Sequence, residues 1–261
     1  MTFPLDADLA LAHRLADAAR AVSLVRFRGK LNRRQKPDGS LVTDADEAVE
    51  DTIRDLLRRE RPDDAMLGEE RGQTGEGTRR WIVDGIDGTQ SFAAGKPHWG
   101  TLIALEIDGK IVVGVCDAPP FDRRYWATRG GGAFRAVQGA AATRLHVTAT
   151  ASLDAAHSLV PPPEWQRDAA ARAAAAALGE ATRRERPADH GALQVAAGGA
   201  DLAVFFLAGP WDVAAPSIVV EEAGGRFTDL AGRHDVTGRG AVFSNGRVHD
   251  AALALTTPHF R

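Results

Sequence analysis

Apolar positions recur at helical spacing twice near the start of the chain. Leu and Ala alternate with polar residues across positions 6 to 26, and Ala48, Val49, Ile53, Leu56 and Leu57 follow Asp44 at intervals of three and four. Two amphipathic helices are therefore expected, at about 6 to 26 and 44 to 59, separated by a loop rich in Lys, Arg, Pro and Gly at 29 to 40. From 81 to 135 the pattern changes to short apolar runs that read as strands. Thr101 to Ile107 and Lys110 to Cys116 flank Asp108-Gly109, a strong hairpin signal. The three glycines at 130 to 132 break the pattern again. Glycine and charge between Arg71 and Arg80 predict a mobile surface loop.

Pro161, Pro162 and Pro163 mark the best boundary between two halves, 1–160 and 161–261, expected to pack as one compact unit. Beyond it, the alanine-rich stretch from Glu164 to Leu178 predicts a helix, since alanine has the highest helix propensity. A strand at about 181 to 186, a helix at 188 to 197 and a strand at 201 to 207 follow. A long apolar helix from Asp212 to Glu222 stops at Gly224 and Gly225, and strands come near Arg226 to Leu230 and Ala241 to Ser244. No repeat of fixed period is present. Helices alternating with sheets imply a layered α/β or α+β architecture.

The chemistry concentrates at the strand ends. Trp81, Ile82 and Val83 read as a buried strand that runs out into a loop holding Asp84 and Asp87, then Gly88 and Thr89. Aspartate oxygens are preferred ligands of Mg²⁺, which fills its remaining sites with water and substrate phosphate. Gly88 allows close approach of a ligand, and Thr89 is suited to N-cap a helix whose N–H groups face an anion. The competing reading is a plain Asp-Gly turn, but Thr89 to Gly95 supplies no strand to pair back. Further acids sit at Glu69 and Glu70, after the apolar segment ending at Gly68, at Asp44 and Asp46, which open a helix, and at Asp212. Each of the helix-opening aspartates also has a structural reading, since acids offset the helix dipole in first turns.

Taken in order, Leu41 to Asp46, Gly68 to Glu70, Trp81 to Thr89 and Trp211 to Ala215, closed by Glu221 to Gly225, resemble the inositol monophosphatase superfamily of Mg²⁺-dependent, lithium-sensitive phosphatases. The resemblance spans about residues 8 to 250. One departure is Gly85, where the family usually has proline, and glycine leaves the loop less pre-organised. The resemblance implies an αβαβα sandwich with the site between the two halves. It implies that Glu69, Asp84, Asp87 and Asp212, with the Ile86 carbonyl, bind two or three Mg²⁺ ions, Asp84 bridging two. Asp46 and Thr89 would activate the attacking water, with Glu69 beside them among the catalytic groups. The Gly88 and Thr89 amides would hold the phosphate. No covalent intermediate is implied, so Cys116, in an apolar strand, is a small core residue.

Inositol phosphatases of this family carry an acidic residue seven positions before the Trp-Asp aspartate; here Phe205 stands there and counts against a polyol. Trp99 to Leu105 and Asp212 to Pro216 are more similar to the histidinol-phosphate phosphatase branch. The resemblance therefore implies hydrolysis of L-histidinol phosphate to L-histidinol and phosphate, a step of histidine biosynthesis. Asp189 lies where that branch tends to have an acidic substrate residue; as an alternative it caps the following helix. His98 and His190 read as wall or surface residues, because hard Mg²⁺ prefers oxygen. An inositol or other sugar-alcohol monophosphatase, or a nucleotide phosphatase, is the alternative enzyme, and a catalytically silent metal-binding relative is a more remote one.

Composition adds exclusions. With 261 residues, 44% of them hydrophobic, the chain can bury a large core, and one cysteine forms no internal disulfide. A net charge of −3 with mixed signs gives no basic field for nucleic acid. The arginines at 58 to 61 and 183 to 186 read as a solvated helix end and a surface strand. The first segment, with Asp6, Asp8 and Asp17, reads as a surface helix and not a signal peptide, and no run approaches the ~20 apolar residues of a membrane span. A cytoplasmic homodimer acting on a small phosphate ester is the expectation.

Overall fold

The computed structural model describes residues 5–137, 140–187 and 189–260. Its N-terminal part runs α1 (Asp6–Arg26), β1 (Arg33–Gln35), β2 (Leu41–Thr43), α2 (Asp44–Glu60), β3 (Ala65–Gly68), β4 (Gly72–Thr74), β5 (Arg79–Asp87) and α3 (Thr89–Ala93). Then come β6 (Gly100–Ile107), β7 (Lys110–Ala118), β8 (Arg123–Thr128), β9 (Gly132–Val137) and β10 (Thr143–Arg144). The remainder comprises β11 (His157–Leu159), α4 (Ala169–Ala181), β12 (Arg183–Arg184), α5 (Gly191–Ala196), β13 (Leu202–Phe205), α6 (Pro210–Glu222), β14 (Arg226–Thr228), β15 (Ala241–Ser244) and α7 (His249–Thr256).

Strands that are apolar along their whole length must be covered on both faces. β5, β6 and β7 are of this kind, and they form the middle of an eight-stranded sheet ordered β10-β9-β8-β7-β6-β5-β3-β4. On one face, Leu11 and Leu15 of α1 with Val49 and Ile53 of α2 pack against Trp81, Ile103 and Val113. On the other, α6 is apolar all round and lies between two sheets. Its Val213, Ile218 and Val219 share a core with Ile82 and Leu102 on one side and with Phe227 and Phe243 on the other. The second sheet has five strands, ordered β12-β11-β13-β15-β14. Its outer face is closed by Ala171, Ala174 and Leu178 of α4 and by Ala252 of α7. Helices, sheet, helices, sheet and helices make the expected αβαβα sandwich. The chain crosses from the first sheet to the second between Arg144 and His157, so β11 precedes the triple proline and already pairs in the second sheet.

Several local expectations are corrected. The loop at 29 to 40 contains β1, which pairs antiparallel with β2 although all three of its residues are exposed and polar. The segment 71 to 80, expected as a mobile loop, contains β4 and the first two residues of β5. Alanine propensity placed a helix at Glu164, but α4 begins at Ala169, because Asp168 accepts the Ala170 N–H at 3.0 Å and so caps it there. Prolines 161 to 163, which lack an N–H, precede only a short 3₁₀ turn at Pro163–Trp165. The strand at 181 to 186 shrinks to β12, that at 201 to 207 to β13, and that at 226 to 230 to β14. The helix expected over 188 to 197 is α5, with Ala188 outside the described residues. α7 had no counterpart in the sequence reading. At Asp108-Gly109 both residues take positive φ, 50° and 75°, as a two-residue hairpin with this twist requires.

Candidate active site

Four elements end at one place. α2 contributes Asp46 from its first turn, the turn after β3 contributes Glu69, the end of β5 contributes Asp84 and Asp87, and the first turn of α6 contributes Asp212. The strand expected to stop at Val83 in fact continues to Asp87, with a register shift against β6. Between Asp84 opposite Leu102 and Asp87 opposite Gly100, two residues of β5, Gly85 and Ile86, are set against one of β6, Thr101. In a regular strand residues three apart point to opposite faces; the extra residue of a bulge turns both carboxylates to one side. Thr101 fixes this bend by donating its hydroxyl to the Gly85 carbonyl at 2.8 Å.

Asp84, Asp87 and Asp212 each place a carboxylate oxygen within 4.8 Å of the others. Asp84 is 2% exposed. Burial, then the charges of Glu69, Asp87, Asp212 and Asp46, hold its carboxyl well above the usual range. Burial and Glu69 push Asp87 up to about 7, and burial and Asp87 do the same to Asp212, whose other oxygen contact is the Gly209 N–H at 2.5 Å. Among the described residues no lysine or arginine pairs with these three; Asp87 has only His190 Nε2 at 4.0 Å, and burial lowers that imidazole to about 4, so it is neutral at pH 7. Oxygen donors crowded together without a counter-charge fit a hard divalent cation. Glu69 falls outside this triad, because its carboxylate is turned to Lys36 Nζ at 2.8 Å, which also reaches Glu70 at 2.8 Å. Burial alone would lower the Lys36 pKa, but the hydrogen bonds it donates to both glutamates raise it, while burial pushes Glu70 up to about 7.

Asp46 and Thr89 meet across the site. The Thr89 hydroxyl donates to Asp46 Oδ1 at 2.8 Å and lies 3.1 Å from the Ile86 carbonyl. Asp46 Oδ2 accepts the N–H of Thr43 at 2.8 Å and its hydroxyl at 2.5 Å, closing a capping box on α2. Burial raises the Asp46 pKa against these hydrogen bonds. With its proton directed to Asp46, Thr89 Oγ1 keeps its lone pairs available to accept a hydrogen bond. Thr89 is the first helical residue of α3, and the N-cap is Gly88, not Thr89 as expected. Gly88 is required by its φ of 83° and by the His98 carbonyl, which a Cβ there would meet at 2.6 Å. The close approach is therefore to the protein's own backbone.

A cavity of about 850 Å³ opens from Asp87 and Asp212, with His190 and Phe205 on its wall and Trp165 and Leu207 at its rim. Phe205 meets His190 edge-on at 5.2 Å and Phe243 at 5.6 Å. Asp189 also lines this cavity, and the capping alternative for it is corrected: the N-cap of α5 is His190. Asp189 Oδ2 instead accepts from Arg123 and from the Tyr125 hydroxyl, both at 3.1 Å, while its buried Oδ1 has no hydrogen-bond partner among the described residues. Lys36, Arg123 and Tyr125 were missed from sequence. Only the density of cations at 29 to 40, ahead of the acidic motifs, hinted at the first.

This five-layer fold with carboxylates meeting at strand and helix ends defines a class, and the chain belongs to the inositol monophosphatase family, whose model matches residues 5–259. It is 45% identical over 251 residues to a histidinol-phosphatase of Mycobacterium tuberculosis, covering 94% of this chain and 96% of that protein. It is 41% identical to a histidinol-phosphatase of Streptomyces coelicolor, covering 97% and 98%. The crystal structure of the extragenic suppressor protein suhB from Bartonella henselae superposes with a TM-score of 0.86 at 27% identity, over 96% of this chain and 98% of that one. With such relatives the chain is a phosphoric monoester hydrolase of a metal-dependent family. No described helix is long and apolar enough to cross a membrane.

Proposed function

We propose that this enzyme hydrolyses L-histidinol phosphate to L-histidinol and phosphate, using Mg²⁺ held by Asp84, Asp87, Asp212, Glu69 and the Ile86 carbonyl. The observation that carries the metal reading is the convergence of the three aspartates, with which no lysine or arginine among the described residues pairs. Two or three bound ions would acidify a water and neutralise the phosphoryl oxygens and the leaving alkoxide. Asp46 receives the Thr89 proton, so Thr89 orients a water and passes its proton toward the Asp46 carboxylate. The Gly88 and Thr89 amides face the phosphate. Glu69 is released to the site once Lys36 gives way.

Substrate choice is supported by the wall of the cavity and by the similarity to histidinol-phosphatases. Phe205 offers no acceptor for polyol hydroxyls but provides, with His190, an aromatic surface for an imidazole. Asp189 Oδ1, which has no hydrogen-bond partner among the described residues, is the acceptor we assign to the substrate ammonium. The same reading includes the two-part organisation, a homodimer, lithium inhibition and a cytoplasmic location; for the homodimer the support is apolar surface left bare at the cavity rim, Trp165 at 73% and Leu207 at 95% exposure.

The test is kcat/KM for histidinol phosphate and inositol 1-phosphate, with Mg²⁺ and with EDTA, in wild type and Asp189→Asn. Histidinol phosphate is expected to be preferred, only with Mg²⁺. Loss of one charge-assisted hydrogen bond, roughly 1.5–3 kcal/mol, erodes that preference in the variant. Higher wild-type efficiency on inositol 1-phosphate refutes the substrate, and activity in EDTA refutes the metal.

A further inference from the structure

We infer that Glu50 is the positioning residue of the metal-binding turn, holding the backbone after Glu69 so that its carboxylate can reach the cation site. Glu50 lies one turn beyond Asp46 on α2 and is 0% exposed. An unpartnered carboxylate at such depth would be expensive, so its partners define its purpose. Oε2 accepts the Glu70 N–H at 2.7 Å and Oε1 the Arg71 N–H at 3.1 Å, the two amides that follow Glu69 directly. Arg54, one further turn along, supplies the counter-charge at 2.5 Å and reaches on to the Gly72 carbonyl at 3.1 Å and the Thr74 hydroxyl at 2.5 Å. One face of α2 thus carries Asp46, bonded to Thr89 after β5, and Glu50, bonded to the turn after β3.

Gly68 lets the helix come this close. A Cβ on Gly68 would run into the Glu50 carboxylate. One on Gly85, between the metal-site aspartates, would stand 3.2 Å from the Asp46 carbonyl and 3.3 Å from the Glu50 nitrogen. α2 is therefore a common brace that sets the turn of Glu69 against the strand end of Asp84 and Asp87. Lys36 can hold the Glu69 side chain, but the backbone from which that side chain swings is held by Glu50.

This rests on Glu69 being a metal ligand, and the experiment separates the two ideas. Mg²⁺ binding to the full chain is measured by calorimetry, alongside the metal-free melting temperature, for wild type, Glu50→Gln, Glu69→Gln and Asp55→Asn. An amide keeps the shape of Glu50 but accepts at one atom only, so Glu50→Gln should weaken Mg²⁺ binding about 10–100-fold, the usual range for groups that orient a ligand. Asp55→Asn, which removes an exposed charge paired with Arg58 of the same helix, should leave it unchanged. A purely structural Glu50 would lower the melting temperature and leave Mg²⁺ affinity intact, which overturns the inference. Weakening by Glu50→Gln with none by Glu69→Gln would overturn the ligand role beneath it. Should Glu50→Gln fail to fold, hydrogen exchange of the metal-free wild type decides: the Glu70 and Arg71 amides are expected to be as protected as the interior of α2, and exchange at the rate of an open turn overturns the clamp.

Discussion

Two sets of buried and half-buried carboxylates in this molecule are treated in opposite ways. Asp201 is 1% exposed and Asp229 0%, as deep as Asp84 at 2%. Asp201 accepts the His157 N–H at 2.7 Å, the Asn245 side chain at 3.2 Å and the Thr148 hydroxyl. Burial alone would raise its pKa, but these hydrogen bonds hold it below the ordinary value. Asp229 accepts the N–H groups of Ala231 and Arg233 at 2.9 and 2.8 Å and the Arg233 guanidinium at 2.8 Å. Both tie loops to the second sheet and are satisfied within the chain. Asp84, Asp87 and Asp212 face one another instead, and their carboxyls are all raised. A buried acid whose cost is met by its neighbours marks architecture; a group whose cost is unmet marks a place kept for something else.

The comparison breaks most readily at Asp84. Asp84→Asn should cost several kcal/mol of transition-state stabilisation, roughly 10³-fold or more in Mg²⁺-dependent phosphate release. It should not lower the metal-free melting temperature, since it relieves like-charge repulsion. A variant that melts early would put Asp84 among the architectural acids. Asp46 stands between the two sets, satisfied by Thr43 yet touching Thr89. Thr89→Ala and Asp46→Asn should lower kcat by roughly 10²–10⁴-fold, the range of general-base contributions, with KM changing less. A mainly raised KM would instead assign the pair to binding.

Asp201→Ala should do the reverse. It strands the His157 N–H and the Asn245 amide, each unmet donor costing about 1–3 kcal/mol, so the chemical-denaturation midpoint falls while kcat stays near wild type. Lost activity in folded protein would join Asp201 to the site.

Much of this contrast was open to reading in the chain, and part of it was not. Motif spacing points to Asp84, Asp87 and Asp212 because strand ends and helix starts are visible as changes of period. The bulge that brings Asp84 and Asp87 to one side is not visible, since it depends on pairing with β6. Lys36 against Glu69, Arg123 against Asp189 and Glu50 against the Glu70 amide are contacts across many residues, and no local pattern encodes them. Asp201 and Asp212 look alike in sequence, each an aspartate opening an apolar element. Only their partners tell them apart. Elements were misplaced for the same reason: β1 is polar and exists by pairing with β2, whereas the alanine run that suggested α4 starts where Asp168 can cap it.

Titration gives the finest version of the comparison, because the two sets carry opposite signs. Asp87 and Asp212 have native pKa values of about 7 against an ordinary 3.8, so the metal-free native state holds more protons than the unfolded chain between those limits. Stability falls as pH rises wherever the native state binds more protons, so these groups weaken the metal-free protein from about pH 4 to about 7. Asp201, lowered, does the opposite: it stabilises above the ordinary carboxylate pKa and is lost as pH falls through its own native value. His249, buried between Thr228 and Ser244 and lowered to about 4, also loses stability as pH falls below 6.5. Its contribution is shared by metal-free and metal-bound protein, so the quantity to measure is the rise in melting temperature caused by saturating Mg²⁺. Cations bind the ionised carboxylates but not the protonated ones. That rise should grow from pH 5 to about 7 and level off above 8, a change on the order of a few degrees in a chain of this size. In Asp87→Asn the growth should be smaller, and in Asp201→Asn it should match wild type. A rise independent of pH would mean that the triad is already ionised at pH 5, and that its crowding carries no cost for a cation to relieve.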